Sequence, residues 1–399
     1  MSYDMSGFDF NIKDVVELLR LRIRHKGAGS LDVDCPFCGG SGKMNVNTDR
    51  DIYRCNVCDE SGGMLALYAS LYGISYAEAN RQIREALHLG QYREDYQKVK
   101  EPEAVQIKNS RLAAEDEIDC TYRRMLSMIP LSQKHKENLL ERGLTEEQIE
   151  EQNYRSVPLF GLKKLAASLQ REGCTVAGVP GFYQDDDGNW TIHFTAKNSG
   201  ILIPIVSMEN RIQGFQIRLD RPTESKKYIW LSSVNYNLGV SSGSPVHVIG
   251  NLHADTVYLT EGALKGTIAH YLSGDTFVCV AGVTLYRNLK PVLERLQKKG
   301  AKYICEAYDM DKKLKITCDK DYKKCGECDF IQKPAICPHK KRKRDNIQRG
   351  CQRAYEICQE LSLPVSRKLW DTNECMEWNG RIKGIDDLYY EQKLHNRPL

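Results

Sequence analysis

Cys35, Cys38, Cys55 and Cys58 stand in the order C-x2-C-x16-C-x2-C, a spacing that restricts the surrounding chain to very few folds. Four thiolates at about 2.3 Å complete the tetrahedral shell of one Zn²⁺, so two short turns must close on a single point and no open position remains for substrate. The spacing predicts a structural zinc ribbon with MNVNT and DIYRC as strands. A second set lies far downstream, where Glu261 closes the strand-like TVYLT and Asp309 and Asp311 close KYICEAYDMD. Carboxylates gathered at neighbouring strand ends repel one another unless a divalent cation, Mg²⁺ or Mn²⁺, lies among them. The two sets together point to nucleic-acid enzymology.

With 399 residues, 41% of them hydrophobic, the chain is long enough for several packed cores. No segment has the apolar length of a membrane span, and the polar, acidic start MSYDMSGFDF is unlike an export signal, so a cytoplasmic protein with no membrane partner is expected. The fifteen cysteines fall in C-x2-C pairs or singly in helix-like segments, a pattern of metal binding and packing rather than of disulfides. A net charge of +4 is mild, so any polyanionic partner must be argued from local clusters.

The periodicities predict a multidomain α/β chain: a small N-terminal zinc ribbon with helices, an α+β basic subdomain, and a parallel α/β sheet. Residues 1–90 hold the ribbon, an amphipathic helix over 12–24 and a helix pair; residues 91–110, of mixed charge around Pro102, read as a linker. Residues 111–250 begin with short helices, one opened by Thr145, and pass into antiparallel strands over 182–232. From 251 to 399 strands alternate with helices as βαβ units, interrupted by an insertion at about 312–344. That insertion lacks apolar content but carries Cys318, Cys325, Cys328 and Cys337, with His339 nearby, so a second Zn²⁺ is the simplest way to order it. The alternative is a basic loop whose flank KKRKR, at 340–344, acts as a nucleic-acid tether. Cys351 and Cys358 recur at helical spacing and read as packed thiols. In the ribbon, Arg50, Tyr53 and Arg54 suit single-stranded DNA, although such ribbons also serve as protein-docking modules.

TEGALKG, AGVT and AYDMD, in that order, resemble the toprim fold shared by bacterial primases, topoisomerases and some nucleases. A zinc ribbon first, then GILIPIVSMENRIQGFQIRLD followed by KKYIWLSS, then toprim, resembles the domain order of bacterial-type DNA primases over most of residues 12–391. The resemblance implies that Glu261, Asp309 and Asp311 hold catalytic Mg²⁺ or Mn²⁺. It also implies that Arg218, Lys226 and Lys227 bind template phosphates or an incoming NTP, beside Tyr228 and Trp230, which either stack on bases or belong to the core. The implied activity is synthesis of short RNA primers on single-stranded DNA. Two positions depart from the family: Cys38 stands where histidine is usual, and Lys265 where the glutamate motif commonly carries an aspartate. Lys265 removes one acid and can contact a phosphate. The closing KGIDDLYYE looks like that of short primases on phages and mobile elements, and its Asp386 and Asp387 read either as further acids at or behind the metal site or as a solvated acidic turn. No G-x4-GK[ST] loop occurs, so unwinding falls to a separate helicase. Two other readings stay open: a toprim nuclease or strand-passing enzyme, the latter needing a nucleophilic tyrosine domain that is not identified, and a non-catalytic DNA-binding replication accessory, which Lys265 favours.

Overall fold

The structure is a computed structural model that describes residues 9–57, 60–72, 74–87, 110–222, 227–320, 325, 328 and 335–395. Its backbone divides into two compact units, Met1–Gln106 and Ile107–Leu399. Most of the expected linker, 91–110, lies outside the described residues. Among the described residues no helix is long and apolar enough to cross a membrane.

The first unit opens with α1 (Ile12–Leu18), whose cap residue Asn11 accepts from the Lys13 and Asp14 amides while the Asp14 carboxylate accepts from Asn11. The helix expected over 12–24 ends here, because Arg20 turns to φ 50°, a left-handed conformation that a helix cannot continue through. The residues beyond instead enter a sheet, β1 (Ile23–Gly27), β2 (Ser30–Val33), β3 (Met44–Asn47), β4 (Ile52–Cys55) and β5 (Ser61–Gly63), antiparallel in chain order. Strict alternation puts Leu31, Val33, Met44, Val46, Tyr53 and Cys55 on the buried face. Helices α2 (Met64–Tyr72) and α3 (Tyr76–Ala86) contribute Met64, Leu67 and Ile83, closing a core with Ile12, Val15 and Val16.

In the second unit α4 (Glu115–Met128), α5 (Gln133–Leu140) and α6 (Glu146–Glu151) come first, and Thr145 and Gln148 form the reciprocal cap expected for α6. After β6 (Arg155–Ser156) and α7 (Leu162–Arg171), β7 (Phe182–Gln184) and β8 (Trp190–Ile192) pair as a separate hairpin. The main antiparallel sheet runs β11-β10-β9-β6, with β9 (Gly200–Val206), β10 (Ile212–Leu219) and β11 (Tyr228–Trp230) where the β-branched runs placed them.

The last sheet has the order β12-β14-β13-β15-β16, built from β12 (His247–Ile249), β13 (Thr256–Glu261), β14 (Thr276–Val280), β15 (Tyr303–Glu306) and β16 (Val365–Arg367). All its pairings are parallel except that of β12, and the crossovers are α8 (Ala263–Ser273), α9 (Leu289–Lys299) and α10 (Pro338–Glu360), with α11 (Ile385–Leu394) closing the chain. Two boundaries differ from the sequence reading. The run at 340–344 forms the first turns of α10 rather than a loop, started by Pro338 in its first turn. Strand β15 stops at Glu306, so Asp309 and Asp311 sit beyond it, at the start of a 3-10 turn over Met310–Lys313. Residues before 250 have a core of their own around Tyr122 and Phe215, and the last sheet has another around Leu259 and Ile304; a third apolar cluster, Ile201, Ile203 and Ile205 of β9 against Ala263, Leu264 and Ile268 of α8, joins the two.

Candidate active site

Strands β13 and β15 are parallel neighbours with Leu259 opposite Glu306, which brings Glu261 and the segment after Glu306 to one edge of the sheet. This is the carboxyl end of the parallel strands, where open α/β sheets bind ligands. Gly262 makes the turn into α8 at φ 86°, a conformation that favours glycine, and its amide bonds to Val280 O at 2.7 Å. Asp309 and Asp311 are buried, and Asp386, at the start of α11, is buried beside them.

Lysines answer these acids. Lys265, one turn into α8, pairs with Asp309 and lies 3.8 Å from Glu261. Lys383 reaches Asp309 at 2.9 Å and Asp311 at 3.2 Å, and Lys343 of α10 reaches Asp311 at 2.7 Å. Desolvation, then the negative charge of Asp309, push Glu261 up to about 7, with Lys265 opposing. Burial works against the Asp309 carboxylate too, yet Lys265 and Lys383 outweigh it and hold Asp309 well below the usual range. Burial pushes Asp386 up to about 6, and its Oδ1 has no hydrogen-bond partner among the described residues.

Beside the acids stands a wall of cations. Arg218 on β10 donates to Asn138 Oδ1 at 2.9 Å, and its Nε, like that of Arg142, is buried without a partner among the described residues. Arg142 lies 4.0 Å from Asp386, brought there by Gly143, which holds φ 95° and where a Cβ would come 2.8 Å from the Tyr390 ring of α11. Partial desolvation, then repulsion from Arg142, Arg218, Lys383 and Lys265, lower the pKa of Lys227. Arg142, Arg218 and Lys227 therefore converge beside the acids, an arrangement suited to phosphate. Of the expected binding residues, Lys226 lies outside the described residues, while Tyr228 and Trp230 pack half-buried against the apolar cluster shared by the two sheets. Lys383 and Arg142 were not legible as site residues, and Lys343 only as part of the basic flank at 340–344, since only the folded chain brings them to this edge.

In the first unit the sulfurs of Cys35, Cys38 and Cys55 lie within 4.8 Å of one another, with Cys38 and Cys55 3.7 Å apart, and the group fits a zinc site. The Val57 amide donates to Cys55 Sγ at 3.4 Å; Cys58 lies outside the described residues. Tyr53, expected to face nucleic acid, is 2% exposed and stacks on Phe37, because the strand period turns it into the core. In the second unit the sulfurs of Cys318, Cys325, Cys328 and Cys337 form no group of three within 4.8 Å among the described residues. Cys318 and Cys337 are both buried, next to the bridge between Thr317 and Ile336.

No protein-family model and no curated protein matches the sequence. Among solved structures, the chain is similar to the zinc-binding and RNA polymerase domains of the Aquifex aeolicus primase, with 16% identity, 97% of this chain and 82% of that one covered, and a TM-score of 0.48. It is similar to a DNA primase domain from Pseudomonas aeruginosa at 15% identity over 69% of this chain and 75% of that one, TM-score 0.43. The E. coli primase catalytic core gives 14% identity over 70% and 76% of the two chains, TM-score 0.43. The structural neighbours are thus bacterial primase zinc-binding and catalytic cores, and at these identities the likeness is one of fold alone.

Proposed function

We propose that the protein is a DNA primase that synthesises short RNA primers on single-stranded DNA by nucleotidyl transfer dependent on Mg²⁺ or Mn²⁺. The observation that carries this reading is the juxtaposition at one sheet edge of Glu261, Asp309 and Asp311 with the phosphate-suited cations Lys227, Arg218 and Arg142. The donor set fits a divalent cation: the oxygens are hard carboxylate oxygens, and Asp386 Oδ1 is a buried acceptor with no donor among the described residues. Glu261, Asp309 and Asp311 would hold the metal, which when bound acidifies the primer 3′-hydroxyl and offsets charge on the phosphoryl oxygens.

The remaining work falls to the chain's own side chains. Asn138 fixes the Arg218 guanidinium, so Arg218 presents its donors to a triphosphate without first being ordered. Lys227, made more acidic by partial burial and then by its cationic neighbours, is stabilised when a phosphate joins the group. Lys226 extends the same basic stretch. The zinc unit supplies a second grip on the template through Arg50 and Arg54, a separate helicase opens the duplex, and the protein works in the cytoplasm. Cys318, Cys325, Cys328 and Cys337 would take a second Zn²⁺ by drawing their sulfurs together.

One observation favours a non-catalytic accessory instead: Lys265 sits among the very carboxylates that a metal needs. Incubation with single-stranded DNA, NTPs and Mg²⁺ or Mn²⁺ separates the readings. A primase makes oligoribonucleotides, a nuclease shortens the DNA, and an accessory binds DNA and does neither.

A further inference from the structure

The lysines at the acidic edge are not equivalent. Lys383 and Lys343 reach in from the surface, with side chains 46% and 38% exposed, and can swing back into water when something displaces them. Lys265 cannot. It rises from α8 beneath the site, its side chain is 19% exposed, and its stem is hemmed in by the chain before α11. A Cβ at Gly384 would come 3.2 Å from Lys265 Cε and would collide with Asp386 Oδ1, so that position is kept bare where the lysine and the acid pass. The ammonium group ends between Glu261 and Asp309, and Asp386 adds to its electrostatic hold.

A two-metal site needs two divalent ions about 4 Å apart, each with carboxylates on its own side. Here the space shared by Glu261 and Asp309 already contains a tethered positive charge, whereas among the described residues Asp309 and Asp311 are bridged only by the displaceable Lys383, with Lys343 a second displaceable cation on Asp311. A second divalent ion beside Lys265 would meet an unscreened like charge in a buried setting and would find the Glu261 and Asp309 oxygens already engaged.

We propose that Lys265 is a built-in cation standing in place of one divalent ion, which narrows the metal-holding set from all three acids to two: a single Mg²⁺ or Mn²⁺ binds Asp309 and Asp311 as Lys383 and Lys343 withdraw, while Glu261 faces Lys265. This rests on the reading of the acids as a metal site, but not on the reaction that the metal serves. Lys265 would then supply fixed charge and hydrogen-bond donors at the position facing Glu261, work that a mobile second ion would otherwise do.

The test is a Mn²⁺ titration of the full-length, zinc-loaded chain, with free Mn²⁺ read by electron paramagnetic resonance, so no activity is needed. Wild type is expected to take about one Mn²⁺ per chain, lost in Asp311→Asn. Lys265→Asp, exchanging the ammonium for a ligand, is expected to take about two. Should that variant fail to fold, Lys265→Met, which removes the charge and keeps the stem, is expected to bind its first Mn²⁺ about tenfold more tightly. Two Mn²⁺ ions on the wild type, or unchanged binding in both Lys265 variants, overturns the inference. No Mn²⁺ on a folded wild type overturns the metal-site reading itself.

Discussion

Asp309 answers two ammonium groups with one carboxylate, so its neutralisation has two consequences. Asp309→Asn leaves Lys265 and Lys383 facing each other without their shared partner, which is expected to cost about 2 kcal/mol in a urea titration. Primer synthesis is expected to fall by at least about 100-fold, because the lost charge belongs to the metal site. Unchanged stability would show that the lysines are content in water. His247 offers a separate test. Its ring is 2% exposed, Nδ1 accepts the Val206 amide at 3.0 Å, and Nε2 lies 3.2 Å from the Thr267 hydroxyl. Burial, then the nearby His270, push its pKa down to about 4. The unfolded chain takes up this proton first, so the contribution is complete above about pH 6.5 and declines as pH falls towards 4, by about 3 kcal/mol in all. Wild type is therefore expected to lose more stability than His247→Gln between pH 7.5 and 4.5, and equal losses would remove His247 as the cause. At this scale the acids were legible because strand ends and short spacings place them. Lys265 and Lys227 were legible through their motifs, but Lys383 and Arg142 were not, since nothing near Lys383 in sequence signals Asp311 and nothing near Arg142 signals Asp386.

The 3-10 turn over Met310–Lys313 shows how an element is fixed by charge inside the fold. Glu306 is fully buried and accepts from Lys312 Nζ at 2.5 Å, the Tyr355 hydroxyl at 2.6 Å and the Tyr308 amide at 2.8 Å, with Arg367 at 3.3 Å. Lys312 lies beside Asp311 in sequence and 5.5 Å from the Trp370 ring centroid, so this network ties the acidic turn to α10 and β16. Lys312→Met removes a buried partner and is expected to cost about 3 kcal/mol, seen as a lower Tm. A loss of only about 0.5 kcal/mol would show that Arg367, the Tyr355 hydroxyl and the Tyr308 amide satisfy Glu306 without Lys312. The strands of the second unit were legible because β-branched and aromatic runs mark them. The end of α1 and the start of α10 were not: a left-handed Arg20 has no clear signature, and a basic run is as compatible with a helix as with a loop.

For the whole molecule, the first unit has its own core and its own zinc-suited cysteines, whereas the two sheets of the second are joined through Ile201, Ile203 and Ile205 against α8. A chain beginning near residue 108 is therefore expected to fold, and one beginning at 251 to aggregate with its shared face uncovered; a cooperative melt of the shorter piece would contradict this. Cys35→Ser is expected to lower zinc by about one ion per chain and to unfold the ribbon while leaving the second unit's melt in place, as elemental analysis and calorimetry would show. If the ribbon grips template, the chain from 108 is expected to lose de novo priming more than extension of a preformed primer, since starting a primer depends most on holding the template strand. The domain order was legible from cysteine spacing and from the change of period along the chain, but the shared core was not, because contacts between sheets leave no periodic trace. The most direct measurement supplies γ-labelled ATP or GTP with the other NTPs, Mg²⁺ or Mn²⁺ and single-stranded DNA, and asks whether label enters an oligoribonucleotide. De novo initiation keeps the γ-phosphate of the first nucleotide, so labelled short RNA is expected from wild type and none from Asp311→Asn; folded, zinc-loaded wild type that binds the DNA yet yields no labelled RNA would contradict a primase.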